Sequence, residues 1–88
     1  MTRLDLINHI EAQGFVKPTR GNSVDCRIKD VDGKTYRYKL TKIGVRLEVK
    51  VIITSPYSPK KTEWVRIKSG YLSQLYFNSE GNIVGLKR

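Results

Sequence analysis

Residues 30–40 read DVDGKTYRYKL, and the order of the side chains in this stretch decides the fold. From Thr35 onward, polar and apolar side chains alternate one for one, as they do in an antiparallel strand with one face in the core and the other in solvent. The Asp-Gly pair before them is typical of a tight hairpin turn. The stretch therefore predicts a β-hairpin whose second strand directs its tyrosines inward and its cations outward.

The same alternation recurs on both sides of this strand. It covers residues 24–29, 45–53 and 63–68. Two other segments, KPTRGNS at 17–23 and SPYSPKK at 55–61, are rich in Pro, Gly, Asn and Ser, which is the composition of loops. We therefore predict a sheet of antiparallel strands joined by hairpins.

The lengths of the hairpin loops determine which residues face each other. A two-residue loop at Asp32 and Gly33 would place Ile28 opposite Arg37, a core side chain opposite a charge. We therefore predict a three-residue loop that begins at Val31, with Gly33 in its left-handed position. A four-residue loop at 41–44 places Leu40 opposite Val45 and Tyr38 opposite Leu47. The rows expected on the polar face are Asp25–Lys39–Arg46, Arg27–Arg37–Glu48 and Lys29–Thr35–Lys50.

A helix precedes the sheet, in TRLDLINHIEAQGF at residues 2–15. Thr2 and Asp5 have the spacing of a capping box, in which each side chain satisfies a free backbone amide at the start of a helix. Gly14 can adopt the left-handed conformation that ends a helix, and Phe15 would then fold back as its hydrophobic contact. The apolar stripe comprises Leu4, Leu6, Ile7 and Ile10.

The end of the chain fits two local structures. Residues 71–77 suit a short helical turn or a strand, and residues 82–87 suit a last strand. Both alternatives are compatible with the same fold class. We predict a single α+β domain over residues 1–88, with one N-terminal helix packed on a curved antiparallel sheet of four to five strands.

The charge balance indicates the kind of partner. Lys and Arg number 17 against 8 Asp and Glu, which gives a net charge of +9 and a pI near 9.9. A pI above about 9 is typical of domains that bind a phosphate-rich partner. Residues 1–16 are nearly neutral, so the basic character belongs to the sheet and its loops. We expect a nucleic acid as partner, with RNA and DNA both open.

The predicted contacts lie on the polar face of the sheet and in the loops beside it. Like charges opposite each other, as at Arg27–Arg37 and Lys39–Arg46, destabilise a sheet unless an anionic partner covers them. Trp64 would be a stacking platform for unpaired bases if it faces outward, or part of the core if it does not. The predicted nucleic-acid contacts are Arg27, Arg37, Lys39, Arg46, Lys50, Trp64, Arg66 and Lys68 on strands, and Lys17, Arg20, Lys60 and Lys61 in loops.

Other classes of site find little support in the composition. A single cysteine, Cys26, and a single histidine, His9, are too few for a structural zinc site, and there is no Gly-rich phosphate loop. The longest apolar run, residues 51–53, is far shorter than a membrane span. We therefore expect no metal, no small-molecule cofactor and no membrane partner. Without a signal-peptide pattern at the N-terminus, we expect a reducing cytoplasm.

Two other functions fit the same residues. A basic sheet face could bind an acidic protein surface, as an inhibitor or adaptor from a phage or plasmid would. A metal-independent ribonuclease using His9, or a tyrosine together with lysines, is a weaker alternative.

The order of elements also resembles a known family. HIEAQGF at residues 9–15 and DVDGKTYRYKL at residues 30–40 give helix, Gly-Phe, strand, Asp-Gly hairpin and strand. This order resembles that of the small HicA-type mRNA interferases, whose fold is related to double-stranded-RNA-binding domains. The catalytic histidine that the resemblance implies after the first loop has no counterpart, because RGNSVDC occupies residues 20–26. We therefore assign no family from these residues.

Overall fold

The computed structural model describes residues 1–19 and 25–88. Among them, one N-terminal helix is followed by a four-stranded antiparallel sheet in chain order and by a small two-stranded sheet. The predicted α+β class is confirmed. The bounds are α1 Arg3–Ala12, β1 Cys26–Val31, β2 Lys34–Leu40, β3 Gly44–Ser55, β4 Ser58–Tyr71, a 3₁₀ turn Leu72–Gln74, β5 Tyr76–Phe77 and β6 Ile83–Val84.

Helix α1 begins and ends where the sequence predicts. The Thr2 hydroxyl accepts a hydrogen bond from the Asp5 amide, and the Asp5 carboxylate accepts one from the Thr2 amide, both at 3.1 Å. The bond from the Thr2 backbone also lowers the pKa of the Asp5 carboxyl. At the other end, Gly14 has a φ of 96°. The capping box and the glycine stop are therefore both confirmed.

The core lies between α1 and one face of the sheet. The Phe15 ring meets the Tyr38 ring edge-on, with 4.8 Å between the centroids. Leu4 was expected in the apolar stripe but is exposed, because it lies about 200° around the helix from the buried Leu6. The buried residues of the core are Leu6, Ile10, Phe15, Tyr38, Leu40, Val45 and Leu75.

Burial of Tyr38 predicts a loss of stability at alkaline pH. Desolvation raises the pKa of its phenol above the ordinary value of 10.0. The folded state therefore holds this proton more tightly than the unfolded chain does. The stability that results is complete below the unfolded pKa and is lost as pH rises through the folded pKa. In urea unfolding from neutral pH to about pH 11, we expect Tyr38→Phe to lose less stability than the wild type. An equal loss in both proteins would contradict this, and Tyr57→Phe, at an exposed position, is the control.

The turn between β1 and β2 is shorter than predicted. Asp32 and Gly33 have φ angles of 51° and 79°, the combination of a two-residue type I′ turn, whose twist matches that of the flanking strands. Ile28 consequently lies opposite Arg37. A shift of one residue exchanges the two faces of a strand, so the predicted register of β1 is wrong and its side chains lie on the faces opposite to those expected.

The cations that this register turns toward α1 have partners there. Arg27 Nε lies 3.0 Å from Glu11 Oε1. Lys29 Nζ donates to the Gln13 carbonyl oxygen at 2.6 Å, and a positive charge is favourable at the C-terminal end of a helix. These contacts satisfy charges that the alternation alone would place in solvent. The predicted rows Asp25–Lys39–Arg46, Arg27–Arg37–Glu48 and Lys29–Thr35–Lys50 are therefore wrong in their β1 members.

The other registers agree with the sequence until a bulge interrupts β4. The predicted pairs of β2 and β3, Leu40 opposite Val45 and Tyr38 opposite Leu47, are confirmed. Between β3 and β4, Leu47 lies opposite Lys68, whereas the next residue of β3 lies opposite Arg66. Ile67 is therefore an extra residue in β4, and a bulge of this kind changes the face to which the following residues point.

Strands β3 and β4 extend beyond the rest of the sheet. The pairing of β2 with β3 ends at Tyr36 and Val49, but β3 and β4 continue to a connection at Pro56 and Tyr57. Residues 50–64, here called the arm, replace the loop predicted at 55–61. The molecule is accordingly elongated, with extents of 49 × 28 × 26 Å.

The C-terminal segment combines the two structures that the sequence left open. Residues 71–77 contain both the 3₁₀ turn and β5, and Leu75 between them is buried in the core. The last strand is shorter than expected, but Lys87 bridges to Ser69 at the edge of β4. In the part of the chain that the structure describes, the helices lack the length and apolar character needed to cross a membrane.

Candidate nucleic-acid interface

The face of the four-stranded sheet opposite α1, here called the outer face, collects cations from three strands. Successive residues of a strand point to opposite faces, so Arg37 and Lys39 point away from α1 because Tyr38 between them is in the core. The registers of β3 and β4 extend this surface. The outer face of β2, β3 and β4 carries Arg37, Lys39, Arg46, Glu48, Lys50, Trp64 and Arg66.

A buried carboxylate organises the centre of the outer face. Glu48 is only 5% exposed. Its Oε1 accepts hydrogen bonds from Arg37 Nε at 2.9 Å and from Arg37 Nη2 at 2.6 Å. Its Oε2 lies 4.0 Å from Arg46 Nη1, and Arg66 is its partner on β4. One carboxylate thus lies among three arginines and forms ion pairs with two of them, so most of the positive charge around it is not neutralised by Glu48.

Trp64 lies on the outer face, which is the first of the two alternatives that the sequence left open. The guanidinium carbon of Arg37 is 4.0 Å from the centroid of the Trp64 ring. A guanidinium at this distance is attracted by the ring electrons and also shields the ring from water. The stacking occupies part of the tryptophan surface, so Trp64 holds Arg37 in place, and through it Glu48, as well as presenting an aromatic edge.

Cations oppose each other directly beside this centre. Lys39 lies opposite Arg46, the like-charge neighbours that the sequence predicts for β2 and β3. The other predicted pair, Arg27 opposite Arg37, is absent because of the shifted register of β1. Like charges directly opposite each other in a sheet are destabilising, and an anion placed between them would relieve the repulsion.

The C-terminus adds cations that the sequence-based prediction missed. An open groove of about 360 Å³ lies where β3, β4 and the last residues meet, and Arg46, Arg66, Lys87 and Arg88 contribute to its lining. The bridge to Ser69 brings Lys87 there through backbone hydrogen bonds of 2.7 and 2.8 Å. The basic LKR at residues 86–88 was the available signal, but only the bridge to β4 reveals its position.

Two predicted contacts are not on the outer face. Arg27 lies opposite Tyr38, is largely buried, and is paired with Glu11 of α1. Lys68 lies opposite Leu47, on the side of α1, because the bulge at Ile67 reverses the alternation of β4. The predicted position of both cations on the outer face is therefore wrong.

The predicted loop contacts are spread over the molecule. Lys17 is exposed next to Val16, which bridges to Ile28 at the free edge of β1. Lys60 and Lys61 are exposed in the arm, at the far end of β4. Arg20 lies outside the described residues.

The single histidine and the single cysteine of the sequence have neighbours within the fold. His9 Nε2 lies 2.8 Å from Gln13 Nε2, and its ring centroid lies 5.0 Å from that of Phe77. Cys26 is buried and lies opposite Lys39 of β2. Within residues 1–19 and 25–88, no group of three His, Cys, Asp or Glu side chains is arranged to hold a metal ion.

Comparison of the chain with protein-family models, with curated proteins and with solved structures gave no match.

Proposed function

We propose that this protein is a non-catalytic nucleic-acid-binding module whose outer face contacts phosphates. The observation that supports the proposal is the concentration of cations around the buried carboxylate of Glu48. Sheets that need only solubility gain nothing from opposing cations, whereas a row of phosphates would stabilise them. The cations of this surface are Arg37, Lys39, Arg46, Lys50 and Arg66, with Lys87 at its edge.

The side chains of this surface divide into two roles. Arg37 is held by Glu48 and Trp64, so its guanidinium is fixed in direction before a ligand arrives. The flexible Lys39 and Lys50 have no carboxylate partner within 4.0 Å among the described residues. A fixed arginine flanked by mobile lysines suits phosphate oxygens, which position a nucleic acid without reading its sequence.

The proposal is tested by a binding screen at low salt. Labelled single- and double-stranded RNA and DNA are titrated with the protein, and fluorescence anisotropy reports the complexes. We expect binding to at least one of these classes. The absence of binding to all four at low salt would reject the proposal, and binding to an acidic polypeptide such as polyglutamate would then favour the acidic-protein alternative. Cleavage of the labelled RNA in the presence of EDTA would contradict the non-catalytic part.

Two lysine variants test whether binding depends on the outer face or only on the net positive charge of the protein. Lys39→Ala and Lys68→Ala remove the same charge from half-buried positions on opposite faces of one sheet. We expect Lys39→Ala to weaken binding to all sequences alike and to reduce the slope of log affinity against log salt by about 1. Lys68→Ala should leave the slope unchanged. Equal effects of the two substitutions would show that binding does not depend on the outer face, and circular dichroism checks that both variants are folded.

A further inference from the structure

The arm is an unusual structure for a protein of this size, since it leaves apolar side chains in water. Between Lys50 and Ser55, β3 has β4 as its neighbour but not β2, whose pairing with β3 ends at Val49. Two strands alone are marginally stable in water. Ile52 is nonetheless 66% exposed, and Tyr57 at the tip is 96% exposed. A partner that covers the arm would remove these side chains from water.

The charge of the arm restricts the chemistry of that partner. Lys50, Lys60 and Lys61 accompany a single acidic residue, Glu63. A second copy of this chain, with a net charge of +9, would bring further positive charge to the same place. The surface that fits must accept apolar side chains in its centre and supply negative charge at its borders. The major groove of DNA has both properties, because thymine methyl groups line its floor and phosphates line its rims.

The dimensions of the arm agree with this groove. The strand segment from residue 50 to residue 55 is roughly 20 Å long at about 3.3 Å per residue. The major groove of B-form DNA is about 12 Å wide and admits a two-stranded ribbon, whereas the minor groove is about 6 Å wide. The major groove of an RNA duplex is too deep and narrow for side chains to read. The shape therefore favours DNA over RNA.

We propose that the arm enters the major groove of duplex DNA, with Ile52 and Tyr57 against the base edges. This inference rests on the proposed function, and it adds the class of nucleic acid and the element that inserts into it. The outer face continues into the arm without interruption, since Lys50 and Trp64 face each other next to Glu48 and Arg66. Cations of the sheet can therefore contact the backbone while the arm occupies the adjacent groove.

The experiment compares a DNA duplex with the RNA duplex of the same sequence. We expect the wild type to bind the DNA at least about tenfold more tightly than the RNA, which corresponds to about 1.4 kcal/mol. The double variant Ile52→Ala/Tyr57→Ala should lose about tenfold in affinity for DNA and little in affinity for RNA. It changes no charge, and its sites are exposed, so folding should be unaffected.

A matched control is available away from the arm and the groove. Leu4 of α1 and Tyr76 of β5 are 65% and 56% exposed, and Leu4→Ala/Tyr76→Ala should bind DNA as the wild type does. In the complex, the arm should also protect guanine N7 in the major groove from dimethyl sulfate. This protection should disappear with the arm variant and persist with the control.

Each contrary result has a distinct meaning. Wild-type protein that binds DNA and RNA duplexes equally, or an arm variant that binds DNA as the wild type does, would overturn the inference and leave the proposed function standing. Sedimentation that detects a dimer of the free protein, lost in the arm variant, would overturn it in favour of a second copy as the occupant. Failure of the wild type to bind any nucleic acid would overturn both.

Discussion

The affinity of this protein for a nucleic-acid duplex is expected to fall on the order of a thousandfold between roughly 50 and 200 mM salt. This estimate assumes that about six phosphates are neutralised, because each contact releases condensed counterions and contributes about 0.9 to the slope of log affinity against log salt. Arg37 can contact a phosphate but is not counted here, because Glu48 already balances its charge. The six side chains are Lys39, Arg46, Lys50, Arg66, Lys87 and Arg88, which lie on the outer face or line the groove beside it.

The measurement is a series of titrations of one and the same duplex at several salt concentrations. Arg66→Ala should lower the slope by about 1, as should Lys39→Ala, because each removes one phosphate contact. Lys68→Ala, on the side of α1, should retain the wild-type slope. A slope near zero for the wild type would show that phosphate contacts do not dominate binding, and the assignment of the outer face would fail.

Removal of Arg37 is expected to lower the free energy of unfolding by about 3 kcal/mol or more. Arg37→Ala leaves the Glu48 carboxylate buried without its hydrogen-bonding partner, and breaking a buried ion pair from one side costs about 3 to 5 kcal/mol. The stacking on Trp64 is lost as well. A domain of this length is stabilised by only roughly 4 to 13 kcal/mol, so the loss would be a large fraction of the total.

Urea unfolding of three further variants separates the causes. Arg46→Ala removes a more exposed arginine 4.0 Å from the same carboxylate, and it should cost less than about 1 kcal/mol. The double variant Arg37→Met/Glu48→Leu should recover most of the lost stability, since replacing a buried pair by apolar side chains is often neutral. If Arg37→Ala and Arg46→Ala lower the free energy of unfolding equally, Arg37 is not the main partner that stabilises the buried Glu48 carboxylate. Glu48→Leu alone should be milder than Arg37→Ala, because the guanidinium that it leaves unpaired is more exposed than the Glu48 carboxylate.

This dual role of Arg37 affects how binding data must be interpreted. A loss of nucleic-acid binding in Arg37→Ala could come from a weakened sheet centre, since the same guanidinium contacts both Glu48 and Trp64. Trp64→Ala is subject to the same effect. Lys39 and Arg66 are the better probes of the surface, because neither donates to the buried carboxylate within hydrogen-bonding distance among the described residues.

The sequence predicted the face of each side chain correctly where a strand keeps its alternation. The prediction failed where one residue more or fewer, in a turn or a bulge, reverses the faces. The length of the β2–β3 loop could be predicted because Leu40 must pair with Val45. This pairing places four cations on one face: Arg37, Lys39, Arg46 and Lys50. Arg27 was misplaced because a two-residue turn and a three-residue turn fit the same Asp-Gly letters. Lys68 was misplaced because no local signal marks the bulge at Ile67.

The sequence by itself determined the helix with its capping box, the alternating strands, the inward tyrosines and the excess of positive charge. These features depend on residues close together in the chain, where the spacing of side chains dictates local geometry. Only the tertiary structure decided the register of β1, the position of Lys87, and the length of the arm. The first two depend on contacts between residues far apart in the chain: Arg27 can turn inward because Glu11 lies there to pair with it, and Lys87 joins the groove because its backbone bridges to Ser69 at the edge of β4.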